Sequence, residues 1–150
     1  MATLFDPTEI NGMNLRNRLI RSATWEGMCD AEGRPTSKLI NYYRNLAKGG
    51  IGLIISGYAF IRKEGKQLPS QMGLYTDDFA PEMKSLAKAV HDEGGKICIQ
   101  LVHAGGQTDS ATADRRPLAE VRVGHECQVR VDERHRRRAL GLLAGIRLKK

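Results

Sequence analysis

The sequence predicts an α/β fold built on a parallel sheet, and three observations predict it. Two segments of helical period, 36–48 and about 78–93, alternate with β-prone runs at 17–24, 51–61 and 96–101. Each helical segment is closed by a glycine pair, Gly49-Gly50 and Gly94-Gly95. Each crossover is one helix long, which is the signature of strands that lie parallel in one sheet. Whether the sheet closes into a barrel or stays open is not decided by this pattern.

The elements follow in order. Asn11-Gly12 lies between Ile10 and Met13-Asn14-Leu15, and Asn-Gly is the strongest short hairpin signal because a type I′ turn needs positive φ at both central residues. "NRLIRSAT", 17–24, is the first strand, and the Gly- and acid-rich "EGMCDAEGRPT" is a loop. Leu39, Tyr42, Tyr43 and Leu46 then fall at helical spacing, with Thr36 as N-cap. "IGLIISGYAFI", 51–61, is nearly continuous in β-prone residues, as a strand covered on both faces reads. Phe79, Met83, Leu86, Ala87 and Val90 form the stripe of the second helix, and "KICIQL" is the third strand. In either closed or open form, ligands belong at the C-terminal strand ends, which confines the search to 22–27, 56–60 and 100–107.

Composition narrows the class. The 150 residues are 41% hydrophobic and 27% charged, enough for one core. The formal net charge of +7 is uneven, since residues 120–150 hold 9 Lys and Arg against 4 Asp and Glu. Cys29, Cys98 and Cys127 form no C-x-x-C pair and no zinc spacing with the histidines. Reduced thiols are therefore expected. No signal-like leader and no apolar window of about 18 residues is present, so a cytoplasmic, non-membrane protein is expected.

The chemistry centres on "GGKICIQLVHAGGQ", 94–107. A period of two sets Ile97, Ile99 and Leu101 on one face and Cys98, Gln100 and Val102 on the other. Gln100 is thus a lone carboxamide near a strand end. It is either satisfied by neighbouring backbone or placed to face a heterocycle with a matching amide or imide edge. His103 is either solvated at the strand end or structural. No G-x-G-x-x-G and no Walker pattern follows any strand.

"LFDPTEINGMNLRNRLIRSATWEG", "GGIGLIISGYAFI" and "AVHDEGGKICIQLVHAGGQ" together resemble the amino-terminal part of the Old Yellow Enzyme family, FMN-dependent NADH:flavin oxidoreductases and ene-reductases that include the 2,4-dienoyl-CoA and 2-enoate reductase branch. The resemblance covers roughly residues 3–118. It implies a partial (β/α)8 TIM barrel: an N-terminal hairpin, the first three strands and two helices. It implies FMN as cofactor, NAD(P)H as reductant and a small activated alkene or enoate as substrate. By the same resemblance, Ala23, Thr24, Trp25, Gly57, Tyr58 and Gln100 are the cofactor-binding residues, with Gln100 on the pyrimidine edge of the flavin and His103 structural. Trp25 and Tyr58 depart from the smaller residues usual there. No catalytic residue and no metal ligand is assigned, because the family's substrate-binding pair, catalytic tyrosine and phosphate loops come from later strands.

The expected organisation is 1–119 as the N-terminal part of an FMN-binding barrel and 120–150 as a basic tail outside the family pattern. A frameshift or truncation near Ala119 is the expected origin of that change, and the chain is expected to be inactive alone. The alternative is a small non-enzymatic binding module whose basic tail contacts polyanions. A short arginine run without interleaved aromatics argues against nucleic acid. Assembly of partial barrels into an oligomer is left open.

Overall fold

A computed structural model describes residues 1–108 of the chain. The boundary expected at residue 119 and the tail beyond it lie outside these residues.

The hairpin forms as the Asn-Gly pair requires. Strands β1 (Thr8–Ile10) and β2 (Met13–Leu15) are antiparallel. Asn11 and Gly12 between them take φ values of 47° and 81°, the left-handed pair of a type I′ turn.

Next come β3 (Ile20–Arg21), α1 (Ser37–Lys48), β4 (Leu53–Ile55), β5 (Ala59–Phe60), α2 (Ala80–Asp92), β6 (Lys96–Cys98) and β7 (Leu101–Val102). A parallel sheet in the order β3-β4-β6 holds the expected strands. Ile20 is in register with Leu53, and Ile54 with Ile97. The helices are also where their period placed them. Thr36 Oγ1 accepts the Leu39 N–H at 3.5 Å as the N-cap of α1, satisfying one of the orphan donors of the first turn.

Two strand expectations need correction. The run 51–61 is not one strand: it breaks at Ser56-Gly57-Tyr58, and β5 resumes beyond the break. The run expected at 96–101 breaks in step with it, β7 resuming at Leu101, and β5 pairs parallel with β7 in a separate two-stranded sheet. The cause is visible in the hydrogen bonds: Ser56 N–H donates to Cys98 O at 2.8 Å and Ala59 N–H to Gln100 O at 2.8 Å. Both strands therefore kink together. The kink upsets the period of two, so Leu101 is exposed instead of sharing the covered face of Ile97 and Ile99.

One face of the sheet carries the core. Leu39, Tyr43 and Ala47 of α1 and Met83, Leu86 and Val90 of α2 close over Ile54. Fully burying side chains of this size is worth about 1.5–3 kcal/mol each. The other face is open among the described residues: Lys96, Cys98 and Gln100 are exposed, and Ile20 is 47% exposed. The side chains of Lys96, Cys98 and Gln100 on this face have no opposing wall among these residues.

The "LRNRL" stretch has a physical task at the opposite end of the sheet. Arg16 Nη1 donates to Glu93 O at 2.8 Å, just past α2, while Nη2 donates to Ile51 O at 3.0 Å and to Ala47 O. One guanidinium thus joins the carboxyl ends of both helices, where a cation is favoured. Asn17 Nδ2 donates to Gly50 O at 2.6 Å, and its Oδ1 accepts from Leu19 N–H at 3.0 Å.

Candidate functional site

Because β3, β4 and β6 are parallel neighbours, their C-terminal ends lie at one edge of the sheet. The six residues singled out from the sequence are all at this edge. Ala23 is half-buried, and Thr24 and Trp25 are exposed, in the segment that leaves β3. Gly57 and Tyr58 lie in the kink after β4, and Gln100 in the matching kink after β6. The backbone N–H of Gln100 meets Ser56 Oγ at 3.3 Å, which joins the last two kinks.

The carboxamide of Gln100 is exposed and makes no hydrogen bond among the described residues. Among these residues a donor and an acceptor are therefore unpaired at the strand ends, the pair an amide or imide edge could use. His103 takes the structural role. Its Nδ1 accepts the Gly105 N–H at 3.0 Å, and its ring lies so close to Gly65 that a Cβ there would stand 2.7 Å from Cδ2. Burial holds its imidazole below the usual histidine range, against the pull of Glu64, which keeps Nδ1 an acceptor.

Gly57 is buried, and its surroundings explain the residue type. A Cβ at this position would stand 2.7 Å from the Thr24 carbonyl oxygen and would collide with the Glu26 carboxylate. The glycine lets the segments leaving β3 and β4 touch. Its N–H is taken by the Tyr43 hydroxyl at 2.9 Å.

The site splits into two parts. Trp25, Gly57 and Tyr58 line a small pocket with Glu26, Tyr43 and Met72, whereas Ala23, Thr24 and Gln100 lie outside it. Both bulky departures from the expected pattern, Trp25 and Tyr58, therefore face the same space. The Trp25 ring folds back on its own segment, 3.1 Å from where a Cβ of Gly27 would be.

Three residues whose part here the sequence reading passed over organise this edge, Glu26, Tyr43 and Gln71. Glu26, with its side chain 7% exposed, pairs with Arg21, its Oε1 3.0 Å from Arg21 Nη2. Burial raises its carboxyl above the usual range, opposed by the Tyr43 hydroxyl and by Arg21. Burial likewise raises the Tyr43 phenol, which stays protonated at neutral pH. Gln71 is fully buried. Its Oε1 accepts the Gln67 and Leu68 N–H groups at 2.8 and 3.2 Å, and its Nε2 reaches Tyr58 O at 3.4 Å. Tyr43 was legible only as one member of an apolar stripe. Glu26 carried one signal, an acid directly after a strand-end segment, which was read as loop composition.

The two described thiols differ sharply. Cys29 is buried and pushed up to about 12 by burial, with Asp30 and Glu26 adding to the shift. Cys98 is exposed on the open sheet face. Since the thiolate is the reacting species, iodoacetamide at pH 8 is expected to alkylate Cys98 while Cys29 stays unmodified until the protein is unfolded. Peptide mapping by mass spectrometry checks this; equal labelling of the two thiols in the folded chain would contradict the burial of Cys29.

Among the described residues no group of His, Cys, Asp and Glu is placed to hold a metal ion. No helix among them is long and apolar enough to cross a membrane.

Comparison with known proteins adds independent findings. The sequence pattern of the family described as NADH:flavin oxidoreductase / NADH oxidase matches residues 3–140. The chain is 38% identical over 104 residues to an N,N-dimethylglycine/sarcosine dehydrogenase of Chromohalobacter salexigens, covering 68% of this chain and 15% of that protein. It is 32% identical over 107 residues to an NADPH dehydrogenase of a Geobacillus species, covering 71% and 32%. Its fold matches the structure of an Old Yellow Enzyme homologue from Zymomonas mobilis with a TM-score of 0.71 at 30% identity, covering 77% of this chain and 32% of that one. The chain thus spans between 15 and 32% of the lengths of these relatives.

Proposed function

The chain belongs to the NADH:flavin oxidoreductase / NADH oxidase family, and on that premise we propose that its described residues form the first three strand ends of an FMN-binding (β/α)8 barrel. The observation that carries this reading is the carboxamide of Gln100, unpartnered among the described residues, beside the kink at 56–58. When bound, FMN would supply hydride transfer, accepting from NAD(P)H and passing on to a small-molecule acceptor.

The residues fit the group. Gln100 offers both a donor and an acceptor to a pyrimidine edge, and Thr24 and Trp25 are exposed at the same edge of the sheet, beyond β3, with β4 between. Gly57 contributes by closeness rather than by free surface, since it is covered by Thr24 and Glu26. Trp25 and Tyr58 narrow the space at this edge and so restrict what can lie beside the flavin. The acceptor class proposed is an activated alkene or enoate, by the resemblance of the "NRL-x-x-S", "GLI-I-S-G" and "IQL-x-HAG" stretches to ene-reductases. The basic tail from residue 120 and its separate origin remain part of this proposal.

The test is titration of the full chain with FMN, followed by flavin fluorescence. Weak, saturable binding is expected, and Gln100→Ala should weaken it about five- to tenfold, the worth of roughly one net hydrogen bond. Saturable binding unaffected by Gln100→Ala would move the pyrimidine edge elsewhere. No binding at any accessible concentration would overturn the reading of these three strand ends as a flavin site.

A further inference from the structure

We infer that His103 is a positioning residue: its imidazole is the strut by which the loop after β5 holds the segment 103–107 that follows Gln100. This rests on reading Gln100 as the flavin-facing carboxamide, but the strut itself is a matter of geometry in the cofactor-free chain.

The loop after β5 touches both flanks of the candidate site. On one flank, beyond β3, Cys29 N–H donates to Ser70 O at 3.2 Å, Gly73 N–H to Gly33 O at 2.9 Å and Lys66 Nζ to Ala31 O at 2.6 Å. On the other, beyond β7, Ala104 N–H donates to Gly65 O at 3.1 Å and Gln67 Nε2 to Gln107 Oε1 at 3.3 Å. The buried Gln71 holds this loop from within, through the Gln67 and Leu68 N–H groups.

His103 lies where the second set of contacts meets. Gly65 is buried, and a Cβ there would stand 2.7 Å from Cδ2, 2.9 Å from Cγ and 3.1 Å from Nε2 of the ring. Three ring atoms this near leave no room for a methyl group. Nδ1, across the ring from Cδ2, accepts the Gly105 N–H at 3.0 Å. One side of the imidazole thus presses on the loop, and the other carries the turn that Gln107 N–H closes on Ala104 O at 3.1 Å. Gln100 is fixed at the kink, where its N–H meets Ser56 Oγ and its O accepts the Ala59 N–H at 2.8 Å. With His103 held against Gly65, the stretch 100–103 is fixed at both ends.

The Nδ1 acceptor can be removed by acid. A neutral imidazole keeps one nitrogen as an acceptor, whereas in the protonated ring both are donors. The charged groups facing the ring, Glu64 and Arg62, come from the turn beside Gly65 and pair with each other. Burial holds the imidazole below the usual histidine range. The strut is therefore intact at neutral pH and is lost as pH falls through that lowered range.

An acid titration of the full cofactor-free chain by NMR tests the claim. The Gly105 amide and the His103 ring are expected to titrate with one midpoint. Gly105 exchange, corrected for its intrinsic pH dependence, should quicken about tenfold across it, the loss of one net hydrogen bond. The Gly52 amide, bonded to Leu19 O at 3.1 Å at the other end of the sheet, is the reference and should change less than about twofold on the same scale. His103→Asn, whose Oδ1 can replace Nδ1 and does not titrate, should keep Gly105 protected throughout. His103→Leu should leave it unprotected throughout; if that variant does not fold, the parent and His103→Asn carry the comparison. A Gly105 amide indifferent to the titration overturns the inference, and so does a Gly52 amide that quickens equally. FMN titration at neutral pH runs alongside, with His103→Leu expected to weaken binding about threefold, the low end for one net hydrogen bond, and His103→Asn to restore it. Equal affinity in parent and His103→Leu overturns the positioning of Gln100. No binding by the parent defeats the flavin reading, while the Gly105 titration still decides the strut.

Discussion

Gly57→Ala is expected to destabilise the chain by about 1–3 kcal/mol, the usual cost of overfilling a packed position. The added methyl would lie 2.7 Å from the Thr24 carbonyl oxygen and against the Glu26 carboxylate. A side chain can swing away, but the Thr24 carbonyl is backbone, and moving it shifts the whole segment leaving β3. Pairing Gly57→Ala with Glu26→Gln is therefore expected to recover little. Urea unfolding followed by circular dichroism measures both variants. A midpoint equal to that of the parent would mean that the two segments are further apart than described.

Gln71→Met is the second large effect expected, at about 2–4 kcal/mol. Methionine nearly preserves the volume, so packing is little changed. What is lost is the acceptor shared by the Gln67 and Leu68 N–H groups and the donor to Tyr58 O. Each buried donor left unpaired costs about 1–3 kcal/mol. The loop 65–72 should loosen first, so exchange of the Gln67 and Leu68 amides should quicken more than that of α1 or α2. A variant as stable as the parent would show that these amides find water or another acceptor.

The contrast between these residues and the helices shows what the sequence discloses. Helix α1 was readable to within a residue because its determinants are local: Thr36 caps it, the stripe repeats every three or four positions, and a glycine pair stops it. Helix α2 was readable from its stripe and its glycine pair, although the turn before it, Asp77–Phe79, is a 3₁₀ turn. The kink at 56–58 was not, because a continuous β-prone run gives no sign of where its neighbour bends. Gln71 sits between Pro69 and Gly73 and reads as solvated loop, yet its partners make it a buried hub. Tyr43 counted as apolar helix surface, while its hydroxyl accepts the N–H of a glycine 14 positions later. Gln100 was legible because a carboxamide in an apolar strand is out of place whatever surrounds it. The family resemblance then located the same strand ends, and its match to residues 3–140 placed the chain in its family.

The Arg16 clasp has a consequence for the order in which the chain takes shape during synthesis. Arg16 leaves the ribosome early, but its acceptors Ala47, Ile51 and Glu93 are spread over the next 77 residues. The guanidinium cannot be satisfied until the second helix has emerged. Domains made from the amino end tend to fold as units, and this clasp makes the two strand-helix repeats and the hairpin one such unit, locked in a single late event. Fraying at the carboxyl end of either helix then releases an acceptor that the other shares, so the two helices open together as one cooperative block rather than one at a time.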